Sequence, residues 1–223
     1  MSASIHNTHF LLRRIHSLFG FLPVGGFLMF HMWENSQSRL GRDHYNEHVV
    51  EAIKSMNYVL FIEIFVLALP ILFHALYGLL IWWQGRTNVT RYKYFHNFMY
   101  FTQRLSGWGI LAFLIYHVGW TRIWSIWKPS IEEDMYGHMQ ALLSNPIAAA
   151  AYVIGMILAV IHFTNGLWTM GITWGVTTTP KAQKISYGVC TALAVLLIAF
   201  GIHSLVGFFL EPSAAAHAAT LVP

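Results

Sequence analysis

Charge is scarce in this chain, and cysteine is scarcer. Asp, Glu, Lys and Arg make up 10% of its 223 residues, against about 25% in an ordinary soluble domain. No polar stretch is long enough for a separate soluble domain, so a single bundle is expected. Cys190 is the sole cysteine. A disulfide within the chain, a zinc or iron–sulfur site built from its thiolates, and covalent haem attachment through Cys-x-x-Cys-His are therefore excluded. Cys190 lies in the run CTALAVLLIAF and reads as a small buried hydrophobe. No dinucleotide-binding fingerprint is present. The formal charge of +4 is spread over so little polar surface that nucleic acid is not an expected partner.

Apolar residues are abundant, at 56%, and the mean hydropathy is +0.52. Five apolar segments stand out, at about 15–33, 58–83, 105–127, 147–170 and 185–210. Each can cross about 30 Å of hydrocarbon at roughly 1.5 Å per residue. The expected fold is an all-α integral membrane bundle of five transmembrane helices over residues 1–211. The Ala-rich tail at 212–223 is expected to be disordered. Arg13-Arg14 precedes the first apolar run as in a signal peptide, but no small-residue cleavage site follows, so a retained first helix is expected.

An odd number of spans puts the termini on opposite sides. One side then carries Arg13, Arg14, Arg86, Arg91, Lys93, Arg104, Lys181 and Lys184, and the other only Arg39, Arg42, Lys54, Arg122 and Lys128. The positive-inside bias predicts a cytoplasmic N-terminus and outward-facing loops at 34–57 and 128–146. Trp33, Trp82, Trp83, Trp124, Trp127 and Trp174 fall near expected span ends, as an interfacial belt requires.

Histidine is the unusual component, with 13 residues, as many as Lys and Arg together. His31, His74, His117 and His162 fall one in each of the first four apolar segments, at intervals of 43, 43 and 45. Ionisable groups at membrane depth are costly and mark function. The first and third helices run outward and carry His31 and His117 in their outer halves. The second and fourth run inward and carry His74 and His162 in their inner halves. The four therefore divide by depth into an outer pair and an inner pair. Two imidazoles from separate helices suit the two axial positions of a haem iron, whose porphyrin supplies the other four ligands. Zinc or copper would want a third or fourth protein ligand, and none is offered at those depths. Gly78 and Gly166 each follow a histidine by one turn and leave room for close approach. Asn165 is a candidate hydrogen-bonding partner of the site, and His203 in the fifth segment is the one rival ligand.

With these residues in place, the chain resembles the cytochrome b membrane anchor of succinate:quinone oxidoreductases in its single-subunit, five-helix, two-haem form. The segments that carry the resemblance are RRIHSLFGFLPVGGFLMFH (13–31), EIFVLALPILFHALYGL (63–79), QRLSGWGILAFLIYHV (103–118) and IHFTNGLW (161–168). TTTPKAQKIS (177–186) fits the connection to the fifth helix. The resemblance implies two haem b groups, with His74 and His162 binding the inner one and His31 and His117 the outer. It implies partners on the cytoplasmic side, a flavoprotein (FAD) subunit and an iron–sulfur subunit, in a bacterial cytoplasmic membrane. Succinate or fumarate chemistry would reside on those partners. The quinone-reactive step would reside here, with menaquinone expected.

Several further positions are candidates. Glu63, just inside the outer end of the second helix, reads either as an interfacial carboxylate or as a proton group for quinone. His16, Ser17, Arg104 and Ser106 cluster at the inner face and are candidate partners of haem propionates or quinone. Arg104, like Arg13 and Arg14, reads equally well as a topology-setting cation. Pro23 and Pro70 should kink their helices or bare a carbonyl. The basic loop 86–93 reads as a docking surface for the iron–sulfur subunit or for anionic lipid. Two other readings stay open: a cytochrome b anchor of another quinone-linked dehydrogenase, and a non-haem membrane protein whose histidines relay protons.

Overall fold

The computed structural model describes residues 2–210, with side chains from 8 to 209. The expected tail at 212–223 lies outside the described residues. Among the described residues five long helical runs follow one another and no strand occurs. The first covers Thr8–Leu40 and the second Val59–Gln84. The third begins as Phe95–Val118 and continues to residue 127. The fourth is Pro146–Thr173 and the fifth Pro180–Leu210. Pro146 and Pro180 open their helices where a missing N–H costs nothing.

Four of these runs, the first, second, fourth and fifth, are long and apolar enough to cross a membrane. The third is as long but less apolar. Gln103, Arg104 and Ser106 at one end, and His117, Thr121 and Arg122 at the other, bracket a short apolar centre. It also starts about ten residues before the apolar segment, because FHNFMYFTQR continues the helix past the hydrophobic stretch.

Large apolar side chains point outward along these runs, among them Leu60, Leu76, Ile115, Ile154 and Val195. An apolar exterior of this kind is stable in lipid. Polar side chains turn inward instead. Ser38, Ser106, Ser125, Thr164, Asn165 and Ser204 are all buried, where they hydrogen-bond across or along helices.

Three of the long runs widen locally into π-type turns, at Gly20–Gly25, Ile62–Ala68 and Gly119–Ile123. Pro23 lies inside the first, and Pro70 follows the second by two residues. Proline has no N–H to continue the four-residue ladder, so a wider turn takes up the mismatch. Nothing in the sequence marks the third.

The chain divides into two compact units. One takes residues 1–29, 60–108 and 158–195. Within it Trp168 Nε1 donates to the Gln183 carbonyl at 3.0 Å, tying the fourth helix to the fifth. Gly175, at φ 74°, ends the fourth helix in a left-handed turn that glycine adopts without strain.

The other unit takes residues 30–59, 109–157 and 196 onward. Its core is Tyr45, Val49, Tyr136, Met139, Leu143, Tyr152 and Phe208. The stretches expected as loops at 34–57 and 128–146 are largely helical, including Arg42–Tyr45, Asn46–Val50, Glu51–Lys54 and Met135–Leu143. They coil because their apolar residues have this core to cover. Ser38 Oγ donates to the Ser204 carbonyl at 2.7 Å, and the Tyr136 hydroxyl to the Gly207 carbonyl at 2.7 Å. The second bond satisfies a carbonyl in the last turn of the fifth helix.

Asp134 joins the connecting segments of this unit. Its carboxylate accepts from both Arg42 Nε, at 2.9 Å, and Arg42 Nη2. It accepts from Asn46 Nδ2 at 2.8 Å, and it caps Met135–Leu143 through the Gly137 N–H at 3.0 Å. Partial burial acts to raise its pKa, but the bonds from Arg42, Asn46 and Gly137 outweigh that and leave it below the usual carboxylate value. Its contribution is thus present above the ordinary aspartate pKa and lost as pH falls through the lowered folded value. Asp134→Asn should weaken local protection of Met135–Leu143 by about 1 kcal/mol, or amide exchange faster by roughly fivefold. Acid-dependent loosening of that helix should also disappear in the variant. Equal exchange in both proteins across the acid range would contradict this.

Candidate cofactor site: two histidine pairs

Each unit brings together one of the two pairs that depth alone suggested. In the first unit the rings of His74 and His162 stand 6.1 Å apart, centroid to centroid, with planes crossed at 85°. In the second the rings of His31 and His117 stand 5.8 Å apart, crossed at 68°. Two imidazoles on opposite faces of one metal ion, with bonds of about 2 Å, place their centroids roughly 6 Å apart. Both pairs match that spacing. Among the described residues no group of three or more His, Cys, Asp or Glu forms a metal cluster. The donor set is two imidazoles per site, which suits an ion whose remaining ligands come with it.

A ligating imidazole needs one nitrogen tied down and the other left with its lone pair. His74 Nδ1–H donates to the His16 carbonyl at 2.9 Å. His162 Nδ1–H donates to the Gln103 carbonyl at 3.2 Å, with Ser106 Oγ also at 3.2 Å. His117 Nδ1–H donates to the Tyr152 hydroxyl at 3.1 Å, and that hydroxyl reaches the Met139 sulfur at 4.0 Å. In each case Nε2 is the nitrogen left to bind. His31 is approached instead by Asn35, whose Nδ2 lies 3.3 Å from both ring nitrogens. The Tyr45 hydroxyl in turn donates to Asn35 Oδ1 at 3.1 Å. Burial, with the charge of Glu34 second, raises the pKa of that hydroxyl and keeps it a donor.

Beside the inner pair, Gln103 ties the third helix to the fourth. Its Nε2 donates to the His162 carbonyl at 3.1 Å, and its Oε1 accepts from Asn165 Nδ2 at 2.7 Å. Asn165 thus supports His162 through Gln103, a residue the sequence reading had not singled out. Tyr152 and Tyr45 were also missed, because a partner from another element leaves no local pattern, and so was Asn35, one turn after His31 on the same helix. The buried Glu34 carries no motif either. Gly78 and Gly166 do allow close approach, but of His16 and Gln103, which lie 3.2 Å from the position a Cβ would take.

The remaining candidates fall as follows. His16 stacks on His74, with centroids 4.1 Å apart and planes at 6°. Ser17 Oγ donates to the Arg14 carbonyl at 2.9 Å and accepts from Trp174 Nε1 at 3.0 Å. Ser106 is buried against His162. Arg104 donates to the Tyr100 hydroxyl at 3.0 Å and to the carbonyls of Trp82 and Gly85, so it caps the second helix. Its Nε, like Arg14 Nη1, is buried with no acceptor among the described residues. Two orphaned guanidinium donors in the first unit are consistent with an anionic group nearby. Glu63 lies half-buried in the widened turn Ile62–Ala68, also in the first unit. His203 is exposed on the fifth helix, and His138 Nε2 bonds the Trp120 carbonyl at 2.9 Å.

Residues 86–201 match the family model of the succinate dehydrogenase/fumarate reductase transmembrane subunit. The chain belongs to this family. It is 35% identical over 202 residues to the succinate dehydrogenase cytochrome b558 subunit of Bacillus subtilis (strain 168). The match covers 91% of this chain and 98% of that relative. The family segment takes in Arg104, Ser106, His117 and His162. The likeness to the relative is long enough to extend beyond it into the helices of His31 and His74.

Gly20 is the tightest position around the inner pair of this transmembrane subunit. A Cβ there would strike the His74 ring, which is held by its bond to the His16 carbonyl and by the stacked His16 ring. The gain in helix propensity, about 1 kcal/mol, is set against overpacking of about 1–3 kcal/mol. Gly20→Ala should therefore lower the unfolding temperature of the purified protein. Gly26→Ala, where a Cβ meets open space, should not. A Gly20→Ala protein as stable as the parent would show that the His74 ring is not confined.

Proposed function

We propose that this chain is the dihaem membrane anchor of a succinate:quinone oxidoreductase, crossing the membrane with five helices, and that it passes electrons between an iron–sulfur subunit and membrane quinone. The observation that carries the reading is the pair of two-histidine sites, each spaced for one axially ligated iron, in a chain of this family. The relative's name contains cytochrome b558, which supports haem b as the group bound. Haem b held by two histidines supplies one-electron transfer and leaves no coordination position for oxygen.

The chain's own residues have three tasks. His74 and His162 bind the inner group, and His31 and His117 the outer. Backbone carbonyls of His16 and Gln103 and the Tyr152 hydroxyl hold the Nδ1 protons of His74, His162 and His117, which would leave their Nε2 lone pairs to hold the group. Arg104, with His16, Ser17 and Ser106, is placed to receive the anionic edge of the inner group or a quinone. Glu63 is the proton group for quinone, whose two-electron reduction takes up two protons. Menaquinone is the expected quinone. The basic segment 86–93 is the docking face for the iron–sulfur subunit, with the flavoprotein subunit beyond it. Orientation follows the cation bias, with the N-terminus in the cytoplasm of a bacterium.

Haem content tests the reading. Purified protein should hold two protohaems. His74→Ala or His162→Ala should remove one, and His31→Ala or His117→Ala the other. The crossed imidazole planes should give two strongly anisotropic low-spin ferric signals by electron paramagnetic resonance. Protein without protohaem, or variants with unaltered visible absorbance, would overturn the assignment.

Glu63→Gln should keep both haems and slow quinone-linked turnover by about a hundredfold. Full turnover in that variant would remove Glu63 from the proton path.

A further inference from the structure

The connection between the first and second helices carries a second group of imidazoles, distinct from the four in the pairs. His44 and His48 lie four residues apart, on one face of the helical segment that runs from Arg42–Tyr45 into Asn46–Val50. Their rings are parallel, 9° between planes, with centroids 4.4 Å apart. His48 is exposed and His44 half-buried. His44 Nε2–H donates to Gln37 Oε1 at 3.2 Å, which ties down that nitrogen and leaves Nδ1 with its lone pair.

Two imidazoles one turn apart form a chelate for divalent late first-row metals. The turn that carries them is fixed from below. Tyr45, between the two histidines, is 5% exposed and packs edge-on against Tyr136 and Phe208. The backbone is therefore ordered before any ion arrives, and only two side chains must reorient, which keeps the entropic cost of binding low. Among the described residues no third His, Cys, Asp or Glu completes a cluster here. Water would fill the remaining positions, as in an open metal site.

We propose that His44 and His48 form a surface site for a divalent transition metal, with Gln37 holding the His44 ring through its Nε2–H. The metal-affinity series puts Cu2+ ahead of Zn2+ and Ni2+. The site is independent of the haem pairs, since none of its donors belongs to them.

The test uses protein purified from membranes and washed with chelator. Zn2+ is titrated calorimetrically, and Cu2+ is examined by electron paramagnetic resonance. The expected result is one saturable site per chain, with hyperfine coupling to two imidazole nitrogens. His44→Ala and His48→Ala should each weaken Zn2+ binding by roughly tenfold or more. His138→Ala should leave it unchanged. Haem content and unfolding temperature of each variant show that the fold is kept. Equal Zn2+ affinity in the double variant, or a Cu2+ signal with fewer than two nitrogens, would overturn the proposal.

Discussion

A histidine carried into the hydrocarbon must give its Nδ1 proton to an acceptor that the protein supplies, because no water is there to take it. That requirement organises the centre of this molecule. The acceptors come from the neighbouring helices: the His16 carbonyl for His74, the Gln103 carbonyl for His162 and the Tyr152 hydroxyl for His117. A carbonyl already engaged in a regular helix has limited capacity for a second donor. The His16 carbonyl lies just before the widened turn Gly20–Gly25, where the regular ladder is relaxed.

The packing that follows buries polar side chains among apolar ones and leaves the exterior apolar. Gln103, Asn165, Ser106 and Thr164 lie between helices, while leucines and isoleucines face outward. Apolar contact between helices gains little when lipid is the alternative solvent. Hydrogen bonds and close approach at small residues therefore carry the specificity. Gly20, Gly78, Gly107 and Gly166 let imidazoles and one carboxamide lie against the opposing backbone. Arg104 follows the same logic at the helix end, where its guanidinium takes the Trp82 and Gly85 carbonyls.

The second unit solves a different problem. Its connecting segments lie beside apolar and polar surroundings alike, and they fold as short helices around an aromatic core. The Asp134 carboxylate gathers Arg42, Asn46 and its own helix N-terminus at one point. The stretches read from the sequence as outward-facing loops are short amphipathic helices. Their apolar residues, Tyr45 with Val49 and Tyr136 with Met139 and Leu143, recur at helical spacing, but over segments too short to stand out beside five long hydrophobic runs.

Composition and spacing alone determined much of this protein: a membrane-embedded helical chain, its second helix to within a residue and its fourth and fifth to within three and five, and a grouping of four histidines whose rings meet as the same two pairs. Those features are legible because hydrocarbon thickness sets helix length, and a charged or imidazole side chain within it is conspicuous. The sequence also placed Asn165 near the site, though not its route through Gln103. Only the tertiary structure decided that Nδ1 is the nitrogen held on His74, His162 and His117, which groups hold it, and that the apparent glycine clearances serve His16 and Gln103. Each of these depends on contacts between residues about sixty positions apart, or on the same side chain meeting a backbone group that every residue possesses. A sequence carries no mark that distinguishes one carbonyl from another; the approach of a particular helix does.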